Sequence, residues 1–441
     1  MKLSIISGGT ASNELVPVFN RITPNLAYII PISDNGGSTA ELIRILSGPA
    51  VGDIRSRLTR LIPTDDKESL SLKNLMLHRL SNDPVEAKRE WLEIVEGTSL
   101  LWHSIEPSCK EIIRSFLIHV HMELLKRSRQ SSKNFKYELA SIGNMFLTGA
   151  RLFCGSLDSA IELFSRITRI PKENKVLPCL NTNFTYHISA ILADGSIVTG
   201  QSQISHPTKN NNYSGNGNNN NNNDDDDDDD DAVIDEHEYA TPLYIHPDLK
   251  HSNLHFSKDV NIPLPSPIER IFYISPYGEE IFPIAQNRVL KSLIESDIII
   301  YSIGSLMTST VPVLILQGVG QAILKDLAKD GKHKKKILLL NGSHDRETYG
   351  LNATGFIKTI ISSIEYSMKL ERNKTQNNST FEEKIWSKYI THLIYLDETG
   401  DIKVDVSEIE SHGIKCVAVK NFEKNKYDLD DLEIKLKEII D

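Results

Sequence analysis

The chain has 441 residues, of which 39% are hydrophobic and 24% are charged, a composition typical of a globular protein with a sizeable buried core. Its net charge of −10 comes mostly from eight consecutive aspartates, residues 224–231. The rest of the chain is close to neutral. This disfavours nucleic-acid binding through a general basic field.

The chain contains four cysteines, Cys109, Cys154, Cys179 and Cys416. They form no CxxC pair and have no metal-finger spacing, so we expect reduced thiols in a reducing compartment. Residues 2–7 are too short for the apolar part of a signal peptide, and no stretch reaches about 18 apolar residues. We therefore expect a cytoplasmic protein that has no membrane partner.

The first 60 residues contain strand, glycine turn and helix twice. Residues 3–7 and 26–32 are uncharged apolar runs, typical of strands in a parallel sheet that is covered on both faces. The turns that follow them are Gly8-Gly9-Thr10 and Asp34-Asn35-Gly36-Gly37-Ser38. Helices are expected over 12–20, 38–46 and 52–62. A glycine turn between strand and helix exposes backbone N–H groups, which favours phosphate binding.

The middle of the chain departs from this alternation. Apolar residues three and four apart predict a helical insertion at about 67–170, with helices over 70–80, 84–95, 107–126 and 137–153. Residues 185–200 predict a β-hairpin with an Asp194-Gly195 turn. Residues 206–237 are rich in Asn and Asp and cannot bury enough apolar surface to fold, so they predict a disordered insertion. This acidic tract is either a solvated spacer or a site for a cation or a basic partner.

Strands and helices alternate again towards the C-terminus. Strands are predicted at 268–274, 297–302, 336–341, 391–396 and 414–419. Helices are predicted at 283–295, from the loop at 303–306 to about 328, at 350–369 and at 429–440. The pattern predicts an α/β fold with a doubly wound, mostly parallel sheet, in a single domain over residues 1–441.

Ligands of such a sheet bind beyond the carboxyl ends of the strands. The loops at those positions supply backbone N–H, hydroxyl and carboxylate groups, from Gly8, Gly9, Thr10, Asp34, Asn35, Gly36, Gly37, Ser38, Gly304, Ser305, Thr308, Ser309, Glu347 and Thr348. These groups fit a phosphate-bearing ligand, with Asp34 able to hold a divalent cation. Asp34 could equally cap the following helix, and Asp53 and Arg55 could form a surface ion pair.

Six short motifs carry a resemblance between residue 3 and about residue 365. They are Gly8-Gly9-Thr10, Asp34-Asn35-Gly36-Gly37-Ser38 for DDGGS, Val51-Gly52-Asp53-Ile54-Arg55 for PGDIR, Gly143-Asn144 for GN, Gly304-Ser305-Leu306-Met307-Thr308-Ser309 for GSLYTS, and Arg346-Glu347-Thr348 for GET. On these motifs the chain resembles the CofD/YvcK family, which includes 2-phospho-L-lactate transferase and the gluconeogenesis-factor-like proteins. The YvcK-like branch is the closer match.

The resemblance implies a Rossmann-like fold that binds a nucleotide diphosphate, and it suggests a homodimer. In the transferase branch, a phospholactyl group moves from a guanosine diphosphate carrier to a deazaflavin alcohol with Mg²⁺. In the other branch, a nucleotide sugar such as UDP-N-acetylglucosamine is bound in a regulatory role. The resemblance points to Asp34 as the metal-binding or catalytic residue, and to Asn144 and Ser305 as contacts to phosphate or nucleotide. Asp53 and Arg55 join the ligand-binding set.

One departure from the family pattern decides between the branches. Asn35 stands where the family has a second aspartate, which removes a negative charge and weakens a two-carboxylate metal site. We therefore expect a nucleotide-binding protein that regulates carbon metabolism. The alternatives are a Mg²⁺-dependent transferase that acts at a nucleotide diphosphate, and an interaction scaffold that works through the acidic tract.

Overall fold

The computed structural model describes residues 1–33, 36–128, 134–205, 263–325, 333–372, 385–397 and 400–440. Asp34, Asn35 and the Asn/Asp-rich insertion at 206–237 lie outside these residues, as does the expected end of a helix near 328. The predictions made for them stay predictions.

Thirteen strands lie in the described residues and are numbered in chain order. They are β1 (Leu3–Ile6), β2 (Leu26–Ile30), β3 (Asn174–Pro178), β4 (His187–Leu192), β5 (Ile197–Thr199), β6 (Ile268–Ile274), β7 (Glu280–Ile281), β8 (Ile298–Tyr301), β9 (Lys335–Leu339), β10 (His392–Leu396), β11 (Lys415–Val419), β12 (Asn421–Glu423) and β13 (Lys426–Tyr427).

The α-helices fall into an N-terminal group, a long middle group and a C-terminal group. They are α1 (Val16–Ile22), α2 (Gly37–Leu46), α3 (Gly52–Leu61), α4 (Lys67–Leu77), α5 (Pro84–Glu96), α6 (Pro107–Arg127), α7 (Ile142–Cys154), α8 (Leu157–Ile167), α9 (Gln201–Ser205), α10 (Asn287–Glu295), α11 (Val311–Leu314), α12 (Val319–Leu324), α13 (Ala353–Arg372), α14 (Val406–Ser411) and α15 (Leu429–Ile440). Short 3₁₀ turns lie at Ala11–Leu15, Leu100–Trp102, Tyr137–Leu139 and Trp386–Lys388, and a π-helical turn lies at Leu306–Thr310.

A seven-stranded parallel sheet forms the centre of the molecule, in the order β11-β10-β9-β8-β1-β2-β3. Every residue of β1, β2 and β8 is buried, as the uncharged apolar runs predict for strands covered on both faces. Ile5 of β1 lies opposite Tyr28 of β2 and Ile300 of β8. The predicted Rossmann-like α/β fold is confirmed, and the strand order changes direction between β1 and β8.

Two strands correct the sequence-based prediction. Residues 174–178 form β3 at the sheet edge beside β2, where no strand was predicted, because the buried run there is short and lies between Lys175 and Pro178. Residues 268–274, expected in the parallel sheet, form β6 of a separate antiparallel sheet in the order β5-β4-β6-β7. Glu269 of β6 is exposed and Arg270 is half-buried, which suits a half-solvated antiparallel strand.

Helix boundaries differ from the prediction at several points. The long helix expected after residue 306 is broken into the π-helical turn, α11 and α12, because Gly318 adopts a φ of 92° just before α12. Helix α10 begins at Asn287 rather than near 283, and α7 begins at Ile142 rather than at 137. The stretch at 67–170 is helical as predicted, holding α4 to α8. None of the described helices is both long and apolar enough to cross a membrane.

Candidate functional site

A cleft of about 240 Å³ opens at the carboxyl ends of β1, β8 and β9. This is the point at which the strand order changes direction, where open parallel sheets place their ligands. The residues that line it are Gly8, Gly9, Thr10, Ala11, Asp53, Gln201, Ser205, Gly304, Ser305, Thr308, Ser309, Asp345 and Glu347. The structure therefore brings together nine of the residues that the sequence analysis selected.

A larger cavity, of about 470 Å³, lies beside the amino ends of β1 and β2. Some of its charged side chains are paired with each other, as in the ion pair of 2.8 Å between Lys2 Nζ and Glu295 Oε2. Its lining contains neither a glycine turn nor a loop at the carboxyl end of a strand. We place the candidate site in the smaller cleft because its position and its exposed backbone suit a ligand.

The two glycines after β1 allow a very close approach of three chain segments. A Cβ on Gly9 would lie 1.8 Å from the Asp53 carboxylate, and a Cβ on Gly8 would lie 2.3 Å from the Ser309 hydroxyl. Real Cβ atoms do not tolerate such separations. The Gly-Gly pair therefore packs the loop after β1 against the first turn of α3 and against the loop after β8.

Arg57 holds the same loop in place from its buried side. This residue was not predicted from the sequence. Its side chain is fully buried, lies 4.6 Å from the centre of the Tyr28 ring, and donates to Ser12 Oγ at 2.6 Å and to the Gly8 carbonyl at 3.3 Å. Arg57 follows Ile54 by three residues, on the apolar side of α3. A charged residue in an apolar helical stripe was the signal that could have found it.

Glu347 organises the opposite wall of the cleft. Its carboxylate accepts hydrogen bonds from the Thr308 amide at 3.0 Å and the Thr308 hydroxyl at 2.8 Å, and from the hydroxyls of Ser305 and Ser205. Burial raises the pKa of this carboxyl to about 7, and the neighbouring Asp345 charge acts in the same direction. Glu347 thus ties the loop after β8 and the end of α9 to the loop after β9.

Three further residues at this wall differ from the prediction made from the sequence. Thr348, selected as a ligand contact, does not line the cleft, since its hydroxyl donates to Asp345 Oδ1 at 2.6 Å and its amide donates to the same oxygen at 2.9 Å. Gln201 and Ser205 of α9 do line it, and no motif marked them, because α9 is a five-residue helix between a hairpin and a low-complexity segment.

Of the selected residues that the structure describes, Gly36, Gly37, Ser38, Arg55 and Asn144 form a second group beside the cleft, where the first turns of α2, α3 and α7 meet. Asn144 Nδ2 donates to Ser38 Oγ at 2.7 Å. Gly36 and Gly37 precede Ser38, and Gly37 has a φ of 53°. Arg55 is only 9% exposed, so the alternative of a surface ion pair with Asp53 does not describe it, although the Asp53 charge does act to raise the Arg55 pKa. Burial lowers the pKa of the Arg55 guanidinium to about 10, and nearby Arg79 lowers it further.

The described residues contain no group of three or more His, Cys, Asp or Glu side chains placed to hold a metal ion. Magnesium sites at nucleotides commonly use only one or two carboxylates together with ligand phosphates, so Asp53 at the cleft suits such a role. Asp34, the residue selected for metal binding and catalysis, lies outside the described part of the chain.

Comparisons with known proteins give a consistent result. The sequence profile of the family described as "2-phospho-L-lactate transferase CofD" matches residues 3–422. An uncharacterized protein of Saccharomyces cerevisiae is 44% identical over 439 residues, which cover 96% of each chain. A protein of Bacillus subtilis named gluconeogenesis factor is 22% identical over 417 residues, covering 94% of this chain and 89% of the other.

A solved structure shows the same fold. The crystal structure of a upf0052-family protein from Bacillus halodurans superposes with a TM-score of 0.59 and 17% sequence identity, covering 99% of this chain and 100% of that one. At this identity the comparison shows the architecture alone.

Proposed function

The chain belongs to the CofD/YvcK family, and on that premise we propose that it binds a nucleotide diphosphate or a nucleotide sugar at the strand ends. The observation that carries the proposal is the cleft beyond β1, β8 and β9, built from two glycine-containing loops and the hydroxyls of Ser305, Thr308 and Ser309. Backbone N–H groups in such loops bind phosphate. The Ser305 and Thr308 hydroxyls donate to Glu347, so their oxygens remain able to accept hydrogen bonds from sugar hydroxyls.

We propose a regulatory role in carbon metabolism rather than a catalytic one. The bacterial relatives named gluconeogenesis factor support the area of metabolism. Asn35 supports a binding role because the family motif has a second aspartate there, and an amide holds a divalent cation less strongly than a carboxylate does. A second copy of the chain is the protein partner that we propose, on the family resemblance alone.

The alternative is a Mg²⁺-dependent transferase that moves a phospho-group from a nucleotide diphosphate carrier to an acceptor hydroxyl. The carboxylates of Asp53 and Asp345 at the cleft favour it, together with Asp34. Bound Mg²⁺ would neutralise charge that develops on the leaving phosphate. In this reading the chain's own part is to hold the diphosphate in the cleft and to keep the acceptor hydroxyl aligned with it.

Native mass spectrometry of the purified full-length protein tests the shared premise. We expect an adduct whose mass is that of a nucleotide diphosphate or nucleotide sugar, released by unfolding and identified by chromatography. A protein that carries no nucleotide and takes up none from a mixture of UDP, GDP, ADP and UDP-N-acetylglucosamine contradicts the proposal.

The identified ligand then separates the two candidate functions. Under the binding proposal, the protein returns the ligand unchanged after incubation with Mg²⁺ and a panel of acceptor alcohols. Under the transferase alternative, the nucleotide product accumulates with time, and Asp34→Asn abolishes its formation. Deletion of residues 206–237 should leave nucleotide binding unchanged in both cases; its loss would instead favour a role of the acidic tract.

A further inference from the structure

Arg55 is a buried guanidinium that forms no ion pair among the described residues. It is 9% exposed and its Nε has no hydrogen-bond partner. The charge of Asp53, two residues before it, attracts it only in part, since burial still lowers its pKa to about 10. Arg79, which is exposed, is close enough to repel it. Burying an uncompensated cation is costly, and such cations are normally paired.

The surroundings of Arg55 are the amino ends of three helices in mutual contact. A Cβ on Gly143, in the first turn of α7, would lie 2.8 Å from Arg55 Cγ and Cδ, so the Arg55 side chain runs directly over that turn. A Cβ on Gly52 of α3 would lie 2.5 Å from Thr39 Oγ1 of α2. At Gly52 and Gly143 the helix ends are therefore packed too closely for a side chain at either position.

The amino end of α7 has no side-chain cap among the described residues, although the Ile142 amide donates to the His78 carbonyl at 3.0 Å. Its N-cap Ser141 makes no side-chain hydrogen bond, the Ser141 hydroxyl is buried without a partner, and the first turn carries no acidic residue. The backbone of Ser141 pairs with that of Arg79, which places a second arginine at this corner. The amino end of a helix carries a partial positive charge from its unpaired N–H groups.

We propose that Arg55, Ser141 and the first turn of α7 form an anion subsite that takes the diphosphate group of the ligand. The proposal rests on the proposed nucleotide-binding function and gives the ligand an orientation. The phosphates lie at Arg55, and the uncharged sugar hydroxyls extend towards the carboxylates of Asp345 and Glu347 at the far wall of the cleft. A phosphate placed beside those carboxylates would meet repulsion instead.

Inorganic pyrophosphate is the probe, because it contains the diphosphate and no base or sugar. Thermal unfolding of the full-length protein is followed with and without pyrophosphate in the wild type, Arg55→Met, Arg55→Lys and Arg60→Met. Arg60 lies on the same helix and is exposed, so it is the matched control. We expect pyrophosphate to raise the Tm of the wild type and of Arg60→Met, to raise that of Arg55→Lys less, and to leave Arg55→Met unchanged.

The ligand-free Tm gives a second readout that a structural arginine would not produce. Replacing an uncompensated buried cation with methionine of similar length should leave the Tm unchanged or raise it. With a nucleoside diphosphate, Arg55→Met should weaken binding at least about tenfold while the affinity for the matching nucleoside changes less than about twofold.

A pyrophosphate-induced shift that persists in Arg55→Met overturns the subsite, and so does the lack of any shift in the wild type. If pyrophosphate acts through Arg55 but no nucleotide binds, the anion subsite stands and the proposed function fails. If nucleotides bind equally well to wild type and Arg55→Met, the proposed function stands and the subsite fails.

Discussion

Two buried charged side chains lie at opposite ends of the site, and the chain treats them differently. The Glu347 carboxylate accepts four hydrogen bonds from Ser205, Ser305 and Thr308. The Arg55 guanidinium, also buried, forms no ion pair among the described residues, and its Nε has no hydrogen-bond partner; only the nearby Asp53 charge favours it. A buried charge that the chain satisfies holds the fold in place, whereas one that it leaves unsatisfied awaits a partner from outside.

The two side chains therefore have different roles in one site: Glu347 positions its loops, and Arg55 is the proposed contact to the ligand. Glu347 fixes the loops after β8 and β9 before any ligand arrives, so the cleft is formed in advance. Arg55 contributes little to the ligand-free fold and should contribute most when an anion is present.

Replacing Glu347 with leucine should have the largest effect on stability. Three hydroxyls and the Thr308 amide would lose their acceptor inside the protein, which should lower the free energy of unfolding by about 3 kcal/mol or more. Glu347→Gln keeps an acceptor oxygen and should cost about 1 kcal/mol. Urea denaturation measures both. A Glu347→Leu variant that is no less stable than Arg55→Met would remove the contrast between the two charges.

Gly9→Ala should abolish ligand binding while leaving Arg55 untouched. The added Cβ collides with Asp53, so the loop after β1 must move away from α3, at a cost of about 1–3 kcal/mol. Gly355→Ala is the control, since that Cβ would meet only the Leu351 and Asn352 side chains at 3.1 Å or more. Calorimetric titration with the identified nucleotide checks this. Wild-type affinity in Gly9→Ala would show that the loop does not shape the site.

The pH dependence of the free energy of unfolding should show the titration of the Glu347 carboxyl. Because burial raises its pKa to about 7 in the folded protein, above about 4.3 for an unfolded chain, the folded state holds the proton more tightly. This contribution is fully present below the unfolded pKa and is lost as pH rises through about 7.

Denaturation of the wild type and Glu347→Gln between pH 4.5 and 8 measures this contribution. The stability of the wild type should decline relative to that of the variant over this range. A difference between the two that is independent of pH would show that the Glu347 carboxyl titrates normally.

Thr348→Val should have the smallest effect. Its hydroxyl bonds only Asp345 in the loop after β9, so we expect a loss of about 1 kcal/mol and an unchanged ligand affinity. Thr308→Val makes the same chemical change at a hydroxyl that lines the cleft and should weaken binding as well. Equal affinity losses in the two variants would contradict the division of the wall into lining and supporting residues.

Much of the fold and part of the candidate site could be predicted from the sequence. Uncharged runs predicted β1 and β2, and the glycine turns after these strands predicted that their loops contribute to the site. The edge strand β3 was missed because its buried run is too short to stand out. Arg57 was missed because pairing with Tyr28 and Ser12 joins residues that the sequence does not associate.

The contrast between Glu347 and Arg55 could not have been predicted. Both are charged residues within motifs, and only three-dimensional contacts distinguish the carboxylate that is satisfied from the guanidinium that is not. Ser205 lies in α9, directly after the hairpin strands β4 and β5. It reaches the site only because the sheet that contains this hairpin docks against the parallel sheet, which depends on tertiary packing. Long-range contacts of this kind have no local sequence signal.

The most direct test of the central claim is a thermal-shift comparison of UDP, GDP, ADP and CDP with their four nucleosides, on the full-length wild-type protein. We predict that at least one diphosphate raises the Tm in a saturable manner, by an amount that corresponds to about 2.7 kcal/mol at a hundredfold excess over Kd. Its nucleoside should have a much smaller effect. No shift with any diphosphate, or equal shifts with a diphosphate and its nucleoside, would contradict a site built for the diphosphate group.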